Sequence, residues 1–350
     1  MLCPSHVTAA LRGMRLSAPG PSGLRADHLL LAYPFGAAPN LLTVLQYIAD
    51  GRAPRWLADA RLLAIPKKGG GVRPIAVGET LRRLSAAALI KSSLGTLPPL
   101  PRQFVLQRDG CITVPSLVRS ALESDESQCL LTVDLRNAFN CVHRSAVLQA
   151  ASGTPLSRYT QWSYGTRSRL RIGENQIASA SGVQQGDPAG PVLFAMALST
   201  ALREFRQSER SDVLDLWYAD DGCLIGEEAA VLCSFRRLSA PLAAIGLAIN
   251  ATKCQLWRNG AHQAAGDPGV PSQFVELSPL PPVVLGYPVA GNTEALGAFV
   301  RSAVDKATKA IDKVAKLHHA QGEAVVLRQC GPTNRLRHLL RFAIDEHTAA

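Results

Sequence analysis

Apolar positions along this 350-residue chain follow two periods, and the switches between them mark its elements. Residues 26–32 and 41–49 carry helical spacing around an interruption at Tyr33-Pro34, after a Gly/Pro/Ser breaker cluster at 17–23. From 61 to 77 two short apolar runs flank the stretch Lys67-Lys68-Gly69-Gly70-Gly71, which reads as strand, glycine turn, strand. Residues 81–94 return to helical spacing until Pro98, Pro99 and Pro101 break the chain. Residues 129–135 read as a short buried strand running into a single helix whose apolar positions are Phe139, Val142, Ala146 and Ala150.

Beyond these, residues 182–191 form a glycine-proline turn that feeds a helix over 192–205. Residues 214–218 and 223–225 read as two strands joined by a turn at Ala219-Asp220-Asp221-Gly222. Helical spacing covers 234–245, a Gly/Pro/Ser-rich stretch from 258 to 282 reads as a loop, and one short strand is expected over 283–287. Residues 295–320 and 322–342 carry Lys and Arg at helical spacing and predict a basic helical C-terminal segment.

Length favours two or three lobes over one small core. With 47% hydrophobic and 18% charged residues the chain buries enough apolar surface to fold. Lys and Arg number 37 against 27 Asp and Glu, a net charge of +10 that favours polyanionic partners. The 8 cysteines are spread singly, so neither a zinc knuckle nor a disulfide framework is expected. No signal peptide or membrane span is read in the sequence, and an intracellular location, cytoplasmic or nuclear, is expected.

Three carboxylates stand out. Asp220 and Asp221 share one turn, and Asp134 ends a different strand. Like charges brought together raise one another's pKa, and two divalent ions about 4 Å apart would neutralise them in a site suited to phosphoryl transfer. Magnesium is the natural hard cation. The plainer alternative is that Asp-Asp before Gly only closes a hairpin. Lys67, Lys68 and Arg73 are either ligands for a triphosphate or a solvated basic turn. Gln185-Gly186 either packs against a nucleotide or merely punctuates the chain, and Phe139 by default anchors its helix.

Four blocks in this order resemble the reverse transcriptases of non-LTR retrotransposons. They are Pro66-Lys67-Lys68 with Arg73-Pro74-Ile75, residues 133–139 around Asp134, Gln185-Gly186-Asp187-Pro188, and Tyr218-Ala219-Asp220-Asp221. Gly246-Leu247 with Asn250 and Lys253 resembles the motif after the catalytic hairpin, and Leu285-Gly286 the primer grip. The resemblance covers about residues 17 to 290.

It implies an α+β right-hand polymerase. On this reading residues 1–60 are a helical entry segment, 61–128 fingers with the basic hairpin, 129–290 a palm of antiparallel sheet, and 291–350 a thumb or connection. It implies further that Asp134, Asp220 and Asp221 are catalytic and bind two Mg2+, with Mn2+ as a substitute and Leu135 adding a main-chain carbonyl. Lys67 and Arg73 would meet the triphosphate, Gln185 and Gly186 the incoming nucleotide, and Lys253 the leaving pyrophosphate, while Phe139 would exclude a 2′-hydroxyl. The implied partners are an RNA template, a DNA or RNA primer and dNTPs; oligomeric state carries no signal.

The sequence departs from the family at Asn140, where Asp is usual, and at Ala189-Gly190, where the turn often carries Ser. No endonuclease, cysteine-histidine knuckle or RNase H block accompanies these motifs, which leaves a fragment of a longer reading frame or a degraded copy as readings. Two rival functions stand beside the leading one. One is a non-catalytic nucleic-acid-binding relic; the other is an RNA-dependent RNA polymerase, disfavoured by Ala219 and by the bulk of Phe139.

Overall fold

The computed structural model describes residues 1–32, 38–67, 70–208, 213–258, 275–276, 282–291, 293–330, 336, 339 and 341. Its strands are β1 (Ala60–Pro66), β2 (Val72–Gly78), β3 (Cys129–Val133), β4 (Ser168–Ile172), β5 (Asn175–Ser179) and β6 (Leu214–Tyr218). They continue as β7 (Asp221–Gly226), β8 (Gln255–Arg258), β9 (Val275–Glu276), β10 (Val283–Val284) and β11 (Tyr287–Pro288). The helices are α1 (Pro4–Gly13), α2 (Ala26–Ala32), α3 (Ala38–Ala49), α4 (Thr80–Ser93), α5 (Gly110–Ser124) and α6 (Ala138–Cys141). After them come α7 (Arg144–Ala151), α8 (Ser157–Tyr164), α9 (Gly190–Ser208), α10 (Glu228–Ala244), α11 (Thr293–Ala315) and α12 (Ala320–Cys330).

Packing divides the chain into two units interleaved in sequence. The first comprises Met1–Leu106, Leu135–Arg210 and Arg237–Ile249, and the second Gln107–Asp134, Ser211–Arg236 and Asn250–Ala350.

In the first unit the predicted basic hairpin is β1–β2, paired from Ala60↔Gly78 to Pro66↔Val72. Its tip needs glycine, because Gly70 and Gly71 hold φ of +98° and +79°, where a Cβ is disfavoured. A second hairpin, β4–β5, adds to it through β4 running parallel to β1. That hairpin has a legible signal, Leu170 and Ile172 alternating with Arg169 and Arg171 before Gly173, which the sequence reading passes over. Helix α4 packs on α1 and α3, and α9 on α7. Leu11, Leu45, Leu84 and Phe194 are fully buried between them.

One expected helix is broken. Phe139 to Ala150 divides into α6 and α7 because Val142 and His143 are extended. Their main chain bonds elsewhere: Gly182 N–H donates to the Val142 carbonyl at 3.1 Å, and His143 N–H to that of Ile245 at 2.8 Å. Distant partners thus outcompete local helical spacing.

The second unit is built on the sheet β6-β7-β3-β8-β9. Central β3 is apolar apart from Thr132, and Cys129, Leu130, Leu131 and Val133 are all buried. Helix α5, kept helical despite Pro115, packs on β3, β6 and β7. Two expectations are corrected here. The turn between β6 and β7 is only Ala219-Asp220, since Asp221 already pairs with Tyr218. The single strand expected over 283–287 is a tight hairpin, β10–β11, because Leu285 and Gly286 hold φ of +49° and +88°. Most of the 258–282 loop lies outside the described residues, although β9 within it pairs parallel to β8. The C-terminal prediction holds as α11 and α12, with residues beyond Cys330 largely outside the description. Among the described residues no helix is long and apolar enough to cross a membrane.

Candidate active site

Strand register brings the first two carboxylates together. The last pair between β3 and β7 is Val133↔Gly222, so Asp134, just past the end of β3, and Asp221, the first residue of β7, come next in register. Asp220 occupies the turn just before Asp221. The Asp221 carboxyl is pushed up to about 6, first by protein displacing water around it and then by the charges of Asp220 and Asp134. Asp221 keeps an exposed face, through which solvent screens those charges.

The glycine after the acidic pair has a different reason from the one expected. Gly222 lies in β7 opposite Trp217, and a Cβ there would fall 2.6 Å from the indole ring. Trp217 is fully buried and its Nε1 donates to Asp215 at 3.1 Å. Gly222 therefore admits a core tryptophan beneath the carboxylates. The turn strain falls on Ala219, a non-glycine residue at φ of +53°.

Asp134 is held from one side by Asn250, whose Nδ2 donates to Oδ1 at 3.0 Å and whose N–H donates to the Asp134 carbonyl at 2.8 Å. Asp134, Asp221, Lys253 and Leu285 share one hollow of about 190 Å³ in the second unit, with Val284 and Thr132 among its walls. Lys253 sits on the short turn Ala251–Lys253, and Gly286 follows Leu285 at the tip of β10–β11. Among the described residues no three His, Cys, Asp or Glu side chains form a ready cage for a metal ion. The donor chemistry still suits one: hard carboxylate oxygens whose charges oppose each other, which a divalent cation would relieve.

The remaining candidates belong to the first unit. Lys67 opens the β1–β2 turn and Arg73 lies on β2, both exposed, while Lys68 lies outside the described residues. Leu135 is buried and bridges to Ile249. Phe139 is half-buried on α6, its ring stacked on Phe194 at 4.7 Å and 21°. It therefore does anchor its helix, whatever else it does. The Gln185 main-chain carbonyl accepts from Ala76 N–H at 2.7 Å, and Gly186, at φ of +122°, leaves room for the Ala76 carbonyl, which a Cβ would approach to 2.5 Å.

What holds that loop escapes the sequence reading. Arg82 and Asp187 form a buried ion pair at 3.0 Å, with side chains 1% and 2% exposed. Tyr164 and Tyr159 donate to Asp187 at 2.6 and 3.1 Å, and Arg82 donates to Gln184 Oε1 and the Ala58 carbonyl, each at 2.8 Å. Burial works against the Arg82 charge, but the hydrogen bond to Tyr159 and the opposite charge of Asp187 more than offset it. In the sequence Asp187 looks like the polar residue of a turn.

The family model for "Reverse transcriptase (RNA-dependent DNA polymerase)" matches residues 65–289, well over half of the chain and inclusive of every carboxylate above. The chain belongs to the reverse transcriptase family. Its mix of helices and largely antiparallel sheets is the α+β class expected from the sequence. It is 26% identical over 240 residues to the Pol polyprotein of the type-1 retrotransposable element R2 of Nasonia vitripennis, covering 61% of this chain and 23% of that one. It is 30% identical over 237 residues to the R2 counterpart of Bradysia coprophila, covering 59% and 26%. The chain thus spans about a quarter of those relatives' length. Among solved structures it resembles apo telomerase from Candida tropicalis truncated from its C-terminal domain, with a TM-score of 0.44 and 14% identity over 61% of this chain and 52% of that one. Reverse transcriptases generally work with divalent metal ions.

Proposed function

We propose that this chain is the polymerase part of a retrotransposon reverse transcriptase, which adds dNTPs to a primer 3′-hydroxyl on an RNA template. The observation that carries the reading is that Asp134, at the end of β3, and Asp221, at the start of β7, follow each other in register and line one hollow, with Asp220 at the turn. In this reading Asp134, Asp220 and Asp221, with the Leu135 carbonyl, hold two Mg2+, for which Mn2+ can substitute. The bound ions would lower the pKa of the attacking hydroxyl and neutralise charge on the triphosphate. Lys253 serves the leaving pyrophosphate, and Leu285 and Gly286 guide the primer end. Lys67, Arg73, Gln185 and Gly186 keep the nucleotide contacts that their motifs carry in the family. The division into entry segment, fingers, palm and thumb at 1–60, 61–128, 129–290 and 291–350 belongs to the same proposal. The purified chain is therefore expected to extend a primer on RNA with dNTPs and a divalent cation; a folded chain without this activity would contradict the reading.

Phe139→Val separates a gate from an anchor. Removing a ring that excludes a 2′-hydroxyl is expected to relax discrimination against ribonucleotides by about tenfold to a hundredfold, the equivalent of about 1 to 3 kcal/mol of overlap. Loss of the stack on Phe194 lowers stability by roughly 1 to 2 kcal/mol at the same time. Competitive incorporation of dNTP and NTP measures the first effect and urea unfolding the second. Lost stability with unchanged discrimination would leave Phe139 only its anchoring role.

Binding of a primer–template should fall steeply with salt, since each neutralised phosphate releases counterion. Exposed Lys306, Lys309 and Lys313 on α11, with Lys316 just after its end, are one source of that dependence. Changing all of them to Gln should flatten the log–log slope by about 1 for each phosphate that is no longer neutralised. An unchanged slope would make α11 an ordinary solvated helix.

A further inference from the structure

We infer that Asn250 is a positioning residue for the catalytic hollow: its side chain fixes the Asp134 carboxylate while its main chain ties Asp134 to the Lys253 turn. The inference rests on the polymerase reading for its purpose but on geometry for its content. Asn250 Nδ2 donates to Asp134 Oδ1 at 3.0 Å, and its N–H donates to the Asp134 carbonyl at 2.8 Å. The amide has one consistent orientation, because the Thr252 hydroxyl donates to Asn250 Oδ1 at 3.1 Å and leaves Nδ2 toward Asp134. On its other side the Asn250 carbonyl accepts from Lys253 N–H at 2.9 Å and from Cys254 N–H at 3.3 Å. The Cys254 thiol donates to the same carbonyl at 3.4 Å, and its sulfur accepts Asp134 N–H at 3.5 Å.

The residue type matters as much as the geometry. A donor is needed to occupy one carboxylate oxygen and fix its plane, which leaves Oδ2 for a cation. A Lys or Arg would supply that donor, but its positive charge would compete with the cation. A carboxylate at 250 would add a like charge beside Asp134 and supply no donor at neutral pH. A neutral amide meets both conditions.

The test uses Asn250→Ala in the full chain, which keeps every main-chain bond of the turn and removes only the amide. Mn2+ binding followed by electron paramagnetic resonance, with Asp134→Asn defining binding outside the hollow, is expected to weaken roughly tenfold. Melting in metal-free buffer should stay close to wild type. The Mg2+ concentration that half-saturates extension should rise in parallel, while dNTP KM at saturating metal stays within about twofold. Thr252→Val, which frees the amide to rotate, should move Mn2+ affinity in the same direction by a smaller factor, and it serves as the probe if Asn250→Ala does not fold. Unchanged Mn2+ affinity in these variants, or wild-type binding no tighter than that of Asp134→Asn, would overturn the inference. A wild-type chain that binds Mn2+ through Asn250-dependent Asp134 yet extends no primer would instead overturn the polymerase reading alone.

Discussion

Asp221→Asn is expected to cost about 4 kcal/mol of transition-state stabilisation, a rate loss of roughly a thousandfold, because in the proposed site it removes a metal-ligand charge while keeping the shape of the side chain. The fold should not suffer. In the metal-free protein Asp221 adds charge to a cluster that already holds Asp134 and Asp220, so the neutral amide should leave stability unchanged or raise it slightly. The gain is limited to about 1 kcal/mol, since solvent reaches Asp221 and screens the cluster. Single-turnover extension and thermal melting measure the two effects independently. Extension within about tenfold of wild type would remove Asp221 from the metal site. A collapse of stability would make its role structural.

Asp187→Ala is expected to do the reverse, destabilising the first unit by about 3 to 5 kcal/mol, because it strands the Arg82 guanidinium without its counterion in a dry interior. Tyr159 and Tyr164 lose their acceptor at the same stroke. Replacing both charges, as Arg82→Met with Asp187→Leu, should recover much of the loss, since a matched apolar pair leaves no buried charge. Urea unfolding of the single and double variants tests this. A double variant at least as unstable as Asp187→Ala would mean that the hydroxyl network, and not the ion pair, carries the stability.

The parts of this fold that were legible in the sequence are those fixed by neighbours in the chain. The basic hairpin β1–β2 announces itself by two apolar runs around glycines, and β3 by an apolar run long enough for a buried central strand. The acidic pair at the β6–β7 turn is likewise local, although the turn is tighter than the Asp-Asp-Gly pattern suggests. What the sequence hides depends on distant partners. Helical spacing through Phe139 and Ala150 continues across Val142 and His143, yet Gly182 and Ile245 take their main-chain bonds and break the helix. Gly222 looks like turn chemistry, but its reason is the ring of Trp217 on the neighbouring strand. Arg82 and Asp187 stand 105 positions apart, and nothing near either one announces a buried pair. The same holds for Asn250, whose meaning emerges only when β3 and the turn after α10 place it against Asp134.

RNA-directed DNA synthesis by this chain is decided by one assay: purified chain, a primer annealed to an RNA template, Mg2+, and either dNTPs or NTPs. Primer should be extended along the RNA with dNTPs, with little product from NTPs and none with Asp220→Asn. Equal use of NTPs would point to an RNA polymerase. Absence of extension in both Mg2+ and Mn2+ by a chain that is folded and binds the primer–template would rule out a polymerase and leave a nucleic-acid-binding relic.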